Sequence, residues 1–365
     1  MRTGIDNDQL SKVIERLGEA AVDPAAWPTI MDDICKAVGA SAAMLLQSDV
    51  RTPDIPRTAS IDEGTQFYFK NNWHLRDPRA NGFPRMMSGE IVTDHDVLTP
   101  DQIRSDPMYN EVLLPFGFQW FAGIGFWADS SAWALTLQRT GREGSFDTRD
   151  KRVLARLAPR LTETATLATA VGRIALSAMT NVLDQVRQPA LVLDRRGTVV
   201  STNSAADAGF DSDIRIRDRR LILRDNKAAA RFDQLLDAIR STSDVAALPA
   251  APIPVRRREK PPVIIRVLPI DGAARTVFLG ARVMLVLSNL EPALAPEPTL
   301  IADALDLTSA ESRLVSLLVG GATIDGAAQQ LRIARETARN HLKSAFSKTG
   351  THRQAELITL VSQLV

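Results

Sequence analysis

The sequence predicts a mixed α/β or α+β region with antiparallel sheets and helices, followed by an all-α region of four helices. Three patterns indicate this order. Alternating apolar residues form strand pairs around short turns at 118–139 and 190–201. Apolar residues recur at helical spacing before and between these pairs, and from residue 308 onward every apolar pattern is helical.

Composition limits the class of protein. A chain of 365 residues predicts two or three domains, and 45% hydrophobic residues with mixed charges are typical of a soluble globular protein. Cys35 is the only cysteine, which excludes a disulfide and a thiolate metal cluster. We find no signal sequence and no unbroken run of about eighteen apolar residues, so we expect a cytoplasmic protein without a membrane partner.

Residues 1–147 predict a sheet with helices on one side. Helical spacing runs from residue 10 to 38, with a break between Pro24 and Pro28. The predicted strands are 42–46, 90–93, 118–126 and 132–139. This order of helices, strands, helix and strands resembles sensor domains of the GAF or autoinducer-binding kind.

Aromatic residues are concentrated in this first domain, since all five tryptophans and both tyrosines precede residue 134. They could line an apolar pocket with polar groups or simply form the core, and both alternatives remain open. The candidate pocket residues are Tyr68, Trp73, Asp77, Tyr109 and Trp120. The Tyr68 and Asp77-Pro78 spacing resembles acyl-homoserine-lactone receptors, in which the aspartate accepts the ligand amide. Gly64 replaces the tryptophan that those receptors have four residues before the tyrosine.

Residues 148–188 predict a long connecting helix. Its apolar residues recur at intervals of three, four or seven positions. They are Leu154, Leu157, Leu161, Ala168, Val171, Ala175, Ala178 and Val182. This spacing is typical of a helix that pairs with its copy in a dimer. The alternative is a helix that covers its own sheet, because Pro159 should interrupt the pattern.

A second domain is predicted at 189–290. The strands 190–193 and 198–201 flank a turn in which Gly197 supplies the positive φ of a hairpin. Together with Asn203 and Ala206 after it, this hairpin resembles the opening of a PAS domain. No residue here indicates haem, flavin or another cofactor, so we identify none. We expect the basic cluster 256–260 to be a solvated turn and the proline-rich segment 291–303 to be an extended linker.

Residues 304–365 predict four helices. Thr308 and Glu311 form a capping box, Gly320 and Gly321 end the first helix, and Thr323 opens the second. The third, 335–349, buries one stripe and exposes a polar face that carries Arg335, Glu336, Thr337, Arg339, Asn340, Lys343 and Lys348. A further capping box at 351–354 is expected to open the last helix.

The charge of this third helix points to nucleic acid, although the whole chain has a net charge of only +1. From residue 332 to 353 there are six Lys or Arg and one acid. Cations neutralise phosphates, and Arg, Asn or Lys side chains can reach base edges in the major groove. The pattern therefore predicts binding to double-stranded DNA.

The last sixty or so residues resemble the DNA-binding domain of LuxR-type transcriptional regulators. The shared motif comprises Leu307-Thr308, Glu311, Gly320 or Gly321, Ala327-Ala328, Leu331, Thr337, His341-Leu342, Lys348-Thr349-Gly350 and Arg353-Gln354. The resemblance implies that Arg339, Asn340 and Lys343 reach bases or nearby backbone, and that Arg335, Thr337 and Lys348 hold phosphates. Arg332 and Ala334 stand where the family usually has glycine and serine.

These patterns predict a regulator that binds a pseudo-palindromic operator as a homodimer and senses a small molecule or a partner protein. RNA polymerase is a further candidate partner. The alternatives are an acyl-homoserine-lactone-type quorum-sensing receptor, an enzyme, or a signalling scaffold with an accessory helix-turn-helix. We find no nucleophile elbow, Walker loop, dinucleotide fingerprint or zinc-protease motif. The Asp94-His95-Asp96 segment is expected to be a solvated loop and not a metal or catalytic cluster.

Overall fold

The computed structural model describes residues 4–48, 54–242, 248, 251–289 and 295–364. The chain forms two compact units, Met1–Ser288 and Asn289–Val365. The first unit contains two sheets with their helices, and the described part of the second is helical. The mixed α/β composition with antiparallel strands is therefore confirmed. Residues 291–294 of the predicted linker lie outside the described residues.

The first sheet has four strands in the order β1-β4-β3-β2, and each neighbouring pair is antiparallel. Strands β3 and β4 form a hairpin in which Ala128 lies opposite Ser131. The strands are β1 (Ala42–Gln47), β2 (Ile91–Thr93), β3 (Trp120–Ala128) and β4 (Ser131–Arg139). The helices before this sheet are α1 (Asn7–Arg16), α2 (Glu19–Val22) and α3 (Trp27–Val38).

Both faces of this sheet are covered. Leu45, Ile124 and Leu135 point to one face and pack in a core with residues of α1 and α3. Because side chains alternate along a strand, Phe121 and Ala134 point to the opposite face. Short helices lie over that face: α4 (Asp62–Lys70), α5 (Phe83–Met87), α6 (Asp94–Val97), α7 (Pro100–Ser105) and a π-helical turn (Met108–Leu113). The expectation of helices on one side was wrong, because β3 is buried on both faces.

The predicted connecting helix is divided into α8 (Thr148–Leu154) and α9 (Leu157–Gln185). The break lies at residues 155–156 and not at Pro159, which occupies the first turn of α9, where the missing N–H has no helical partner. Within the 38-residue segment Thr148–Gln185, a stretch of 18 residues has a mean hydropathy of 1.2, so the segment could cross a membrane by length and composition alone. Leu157 and Leu161 are fully buried in the core of the first sheet, as in a core helix of a globular domain.

The second sheet has five strands in the order β6-β5-β11-β10-β9. They are β5 (Ala190–Asp194), β6 (Val199–Thr202), β9 (Ile253–Val255), β10 (Val263–Pro269) and β11 (Ala281–Asn289). Between them lie α10 (Ser204–Gly209), the hairpin strands β7 (Ile214–Arg217) and β8 (Arg220–Leu223), and α11 (Asn226–Ser241). Gly197 has the predicted positive φ, +76°, in the β5–β6 turn. The short strands β7 and β9 were not predicted.

The basic cluster at 256–260 is only partly solvated. The guanidinium of Arg257 is 3% exposed and lies 3.5 Å from the carboxylate of Asp211, and the ammonium of Lys260 lies 3.1 Å from the same carboxylate. The expectation of a solvated turn was wrong for Arg257. Local sequence could not reveal this burial, because Asp211 lies more than forty residues away.

The second unit contains α12 (Pro298–Leu305), α13 (Ser309–Val319), α14 (Ile324–Leu331), α15 (Arg335–Thr349) and α16 (Gln354–Val361). The predicted capping box is present, since the Thr308 N–H donates to Glu311 and the Glu311 N–H donates to Thr308. Helix α12 was predicted as extended linker. It forms because Pro298 takes the first helical position and Ile301 is fully buried in the helical core. Helix α16 begins with Glu356 accepting from the N–H groups of His352 and Arg353, not with the predicted box at 351–354.

Candidate ligand cavity and candidate nucleic-acid interface

A cavity of about 380 Å³ lies between the second face of the first sheet and the short helices that cover it. This volume is within the roughly 300–1,000 Å³ of small-molecule sites. Most of its wall is apolar, and representative lining residues are Leu46, Ile61, Phe69, Met86, Phe116 and Phe121. Strands β1, β3 and β4 supply the floor, and α4, α5 and the π-helical turn supply the opposite wall.

Two glycines of β3 set how closely α5 approaches this floor. A Cβ added to Gly123 would lie 2.4 Å from the Cε of Met86, and one added to Gly125 would lie 2.3 Å from the Met86 carbonyl oxygen. A larger residue at Gly125 would meet the Met86 backbone and push α5 away from the sheet, whereas one at Gly123 would displace the flexible end of the Met86 side chain. The glycines therefore allow Met86 to form one wall of the cavity.

The only charged pair among the described lining residues is Asp77 with Arg79. The Arg79 guanidinium donates from Nε to one Asp77 oxygen at 3.0 Å and from Nη2 to the other at 2.8 Å. The Arg79 backbone N–H and the Tyr68 hydroxyl also donate to Asp77, at 2.9 and 3.0 Å. Burial by itself raises the pKa of Asp77, but the Arg79 charge and these bonds outweigh it, and the pKa lies below its ordinary value. Asp77 is therefore an ionised carboxylate with both oxygens engaged.

Gln138 of β4 also lines the cavity and is 3% exposed. Its carboxamide oxygen Oε1 is buried and accepts no hydrogen bond. A buried acceptor without a partner is unfavourable, by about 1–3 kcal/mol.

The structure brings two of the five sequence-predicted pocket residues to the cavity, Tyr68 and Asp77. Trp73, Tyr109 and Trp120 lie outside its lining and pack in the apolar cluster beside it. Arg79 and Gln138 were not predicted. Alternation along β4 could have placed Gln138 on the face opposite Leu135 and Leu137, and a cation two residues after Asp77 could have suggested the ion pair.

Asp94 is not in a solvated loop, as the sequence suggested, but is 1% exposed. It accepts hydrogen bonds from the Tyr109 hydroxyl at 2.6 Å and from the Phe121 N–H at 2.8 Å. A capping interaction between Thr93 and Asp96 starts α6 and so directs Asp94 inward. Burial raises the pKa of Asp94 above its ordinary value. Among the described residues, no group of three His, Cys, Asp or Glu could hold a metal ion.

The second candidate site is the exposed face of α15. Ala338, Leu342 and Ala345 are buried in the core of the second unit. The residues on the other side are exposed: Arg335, Glu336, Thr337, Arg339, Asn340 and Lys343. Residues three and four apart lie on one helical face, so Arg335, Arg339 and Lys343 form a row of cations, with Asn340 beside it.

Two of these cations have acidic neighbours. Arg335 lies 2.7 Å from Asp325 and Arg339 lies 3.7 Å from Glu336, and all four side chains are more than half exposed. Exposed ion pairs of this kind contribute little free energy. Each arginine could therefore readily exchange its carboxylate partner for a phosphate.

Lys348 has a different environment. Its ammonium donates to Oε2 of Glu311 at 2.9 Å, and the Glu311 side chain is 6% exposed. Burial by itself raises the pKa of Glu311, but hydrogen bonds from Ser344, Thr308 and Lys348 lower it to about 2. Lys348 therefore joins α15 to the start of α13.

The start of α15 lacks a side-chain cap. Ala334 is the N-cap residue and makes no side-chain hydrogen bond, and Arg332 ends α14 with a φ of +55°. Both are the positions at which the sequence departs from the LuxR-type pattern. An alanine at an N-cap forgoes a bond to the first N–H groups of the helix, and arginine adopts positive φ at a cost that glycine avoids.

Replacing Ala334 by serine is expected to stabilise the start of α15 by about 0.5–2 kcal/mol, because a serine hydroxyl can accept from a free N–H of the first turn. Hydrogen exchange of the backbone amides of α15 in the full-length protein would measure this as slower exchange. Ala355→Ser, an exposed change inside α16, is the matched control and should give no added protection. Equal effects of the two changes would contradict the capping argument.

No protein-family model matches the chain, and no curated protein matches it. Among solved structures, the VqsR LBD domain from Pseudomonas aeruginosa is 16% identical with a TM-score of 0.32, and the match covers 43% of this chain and 94% of that chain. The phage VqmA-DPO complex is 13% identical with a TM-score of 0.20, over 53% and 90% of the two chains. A Vibrio cholerae VqmA dimer, described as a LuxR-type receptor, is 16% identical with a TM-score of 0.20, over 51% and 86%. TM-scores of this size do not establish a common fold.

Proposed function

We propose that this protein is a cytoplasmic, sequence-specific DNA-binding regulator of transcription whose first unit binds a small effector. The observation that carries the proposal is the exposed row Arg335, Arg339 and Lys343 with Asn340, on a helix whose other face is buried. The LuxR-like motif around it supports the same function. The cavity of the first sheet supports the effector, because its size and mostly apolar wall suit a small molecule.

In this proposal α14, the turn at 332–334 and α15 form the helix-turn-helix, and α15 enters the major groove. Arg339, Asn340 and Lys343 contact bases or nearby backbone, whereas Arg335 and Thr337 contact phosphates. Lys348 contacts phosphate from the position in which Glu311 holds it. A two-fold symmetric protein would recognise a pseudo-palindromic operator with half-sites about one helical turn apart. RNA polymerase stays a candidate partner of the DNA-bound form.

Selection of bound sequences from a random DNA pool with the full-length protein tests the proposal. A recurring two-fold motif at a stated salt concentration is the expected result. The same selection with Arg339→Ala and Asn340→Ala together should lose the motif. Recovery of an unchanged motif by this double variant would contradict the assigned interface, and no enrichment with or without effector would contradict sequence-specific binding.

The homodimer is proposed to form through α9, but through only some of the residues that the sequence pattern suggested. Leu154, Leu157, Leu161 and Ala168 of that predicted seam are fully buried against the protein's own sheet. The exposed stripe keeps Val171, Ala178 and Val182 of the predicted seam and adds Leu167 and Ile174. Leu167, Ile174 and Val182 are 49%, 71% and 63% exposed. With Val171 and Ala178 between them, these residues follow one another at intervals of four, three, four and four positions along the helix. Heptad-like apolar spacing on a solvent-facing helix fits a second copy of the same helix.

Ile174→Glu combined with Val182→Glu is expected to convert the dimer to a monomer, because two carboxylates would be buried in the helix pair. Sedimentation velocity of the full-length protein measures the change. Thr166→Glu, on a polar part of the same helix, is the matched control and should leave the dimer intact. A dimer that survives the paired glutamates would place the interface elsewhere.

A homoserine-lactone receptor was the alternative suggested by the spacing of Tyr68 and Asp77. In the structure both Asp77 oxygens accept hydrogen bonds from Arg79, and Tyr68 donates to Asp77. The carboxylate could accept a ligand amide only in competition with these donors. The contacts of Asp77 therefore favour a structural role, and we do not propose this receptor class.

A further inference from the structure

We propose that the hairpin of β7 and β8 is a second DNA contact, which holds phosphates of the duplex whose bases α15 contacts. This contact rests on the proposed DNA-binding function and belongs to the first unit. Three features carry it: the face on which the strand register places three arginines, the charges around them, and the hydrogen bonds that anchor the hairpin.

The register of the hairpin separates an apolar face from a cationic face. The apolar residues of both strands, such as Ile214 and Leu221, pack in the core of the second sheet. Because side chains alternate along a strand, Arg215, Arg217 and Arg220 share the opposite face, and all three are exposed. The major groove of DNA admits a two-stranded ribbon, so the outer side chains of such a ribbon can reach the phosphates at the edges of the groove.

Two of these arginines face each other across the hairpin. Arg217 lies directly opposite Arg220 in the register, where like charges repel and destabilise a strand pair. Asp218 lies 3.6 Å from Arg217, but the two side chains are 73% and 88% exposed, so this ion pair contributes little free energy. Among the described residues, no carboxylate forms an ion pair with Arg215 or Arg220. A phosphate bound between Arg217 and Arg220 would remove the repulsion.

The surroundings of the hairpin are cationic as well. Residues 211–227 and 256–260 together contain ten Lys or Arg and five Asp or Glu. One of these carboxylates, Asp211, is balanced by Arg257 and Lys260, at 3.5 and 3.1 Å. The excess of positive charge attracts a polyanion, and duplex DNA is the polyanion that the same chain is proposed to bind.

The hairpin is anchored at its tip and at its base, so its arginines form a fixed array. At the tip, the Val199 N–H donates to the Arg219 carbonyl at 2.8 Å, and Nε of Arg219 donates to the Val199 carbonyl at 3.4 Å. At the base, the Arg258 N–H donates to the Asp213 carboxylate at 3.0 Å. A surface whose backbone is already fixed loses little conformational freedom on binding, which favours affinity.

The test uses the full-length protein and the operator obtained by selection. A triple variant, Arg215→Gln with Arg217→Gln and Arg220→Gln, removes three exposed charges and keeps polar side chains. Titrations at several salt concentrations should give a slope of log affinity against log salt concentration that is less steep by about two to three, because each lost phosphate contact removes about 0.9. At about 0.15 M salt the operator should bind roughly tenfold more weakly or worse, with the same preferred bases.

The matched control makes the same change of net charge elsewhere in the first unit. It combines Arg142→Gln, Arg149→Gln and Arg152→Gln, three exposed positions outside the hairpin, and should leave the slope unchanged. Replacing the three hairpin arginines by lysine keeps the charges and should keep the slope close to that of the unchanged protein. Arg220→Gln alone, which should lower the slope by about one, provides a further variant if the triple variant does not fold.

Equal slopes for the triple variant and its control would overturn the inference. So would binding of single-stranded RNA that depends on the hairpin while duplex DNA binds the triple variant as tightly as the unchanged protein. Failure of the proposed function is distinguishable, because random-sequence duplex can replace the operator in the same titrations. If selection yields no motif but the triple variant still lowers the slope on random duplex, the hairpin contact stands and sequence-specific regulation is wrong.

Discussion

Asp77→Ala is expected to destabilise the first unit by about 3–5 kcal/mol, which is among the largest effects of a single substitution. The change would leave the buried Arg79 guanidinium without its carboxylate and would remove an acceptor from Tyr68. Denaturant unfolding followed by tryptophan fluorescence measures the loss, because all five tryptophans lie in this unit.

A double variant separates the ion pair from other roles of Asp77. Asp77→Ala with Arg79→Met removes both charges, and we expect it to recover most of the lost stability, because a buried pair and an apolar replacement are often nearly equal in free energy. If the free energy of unfolding of Asp77→Ala differed by less than about 1 kcal/mol from that of the unchanged protein, the carboxylate would instead be free for a ligand. That result would also reopen the homoserine-lactone alternative.

Arg339→Ala and Asn340→Ala are each expected to weaken binding to the selected operator by about 1–3 kcal/mol and to relax the choice of base. Both side chains are exposed on α15, so neither change should affect the core beneath them. Binding titrations of each variant against the operator and against single-base variants measure the two effects. Ser347→Ala, another exposed change on α15, is the matched control and should bind like the unchanged protein.

Lys348→Ala provides the contrast. Because Lys348 is proposed to contact a phosphate, its loss should weaken binding to all DNA sequences alike. It should also reduce the slope of log affinity against log salt concentration by about one. Because its ammonium bonds the buried Glu311, the same change should also destabilise the second unit, which neither Arg339→Ala nor Asn340→Ala should do. Equal, sequence-independent losses from all three variants would contradict the base-reading role of Arg339 and Asn340.

Local chemistry of the sequence was sufficient for the elements themselves. Alternation predicted β3 with β4 and β5 with β6, and the positive φ of Gly197 followed from its place between two short strands. The capping box of Thr308 and Glu311 and the exposed cationic row of α15 also followed from spacing. These features depend on residues at most a few positions apart, for which periodicity and capping preferences are informative.

Only the tertiary structure decided which groups meet across the fold. The sequence did not reveal that Asp94 is buried against Tyr109, that Lys348 holds Glu311, or which stripe of α9 faces solvent. It also could not choose among the aromatic residues, of which Tyr68 lines the cavity and Trp73 and Tyr109 do not. Periodicity tells which residues share a face but not what covers that face, because packing joins residues far apart in the chain. The sequence therefore determined the helix proposed to bind DNA, and the packing of distant segments determined the cavity and the ion pair of Asp77 and Arg79 in its wall.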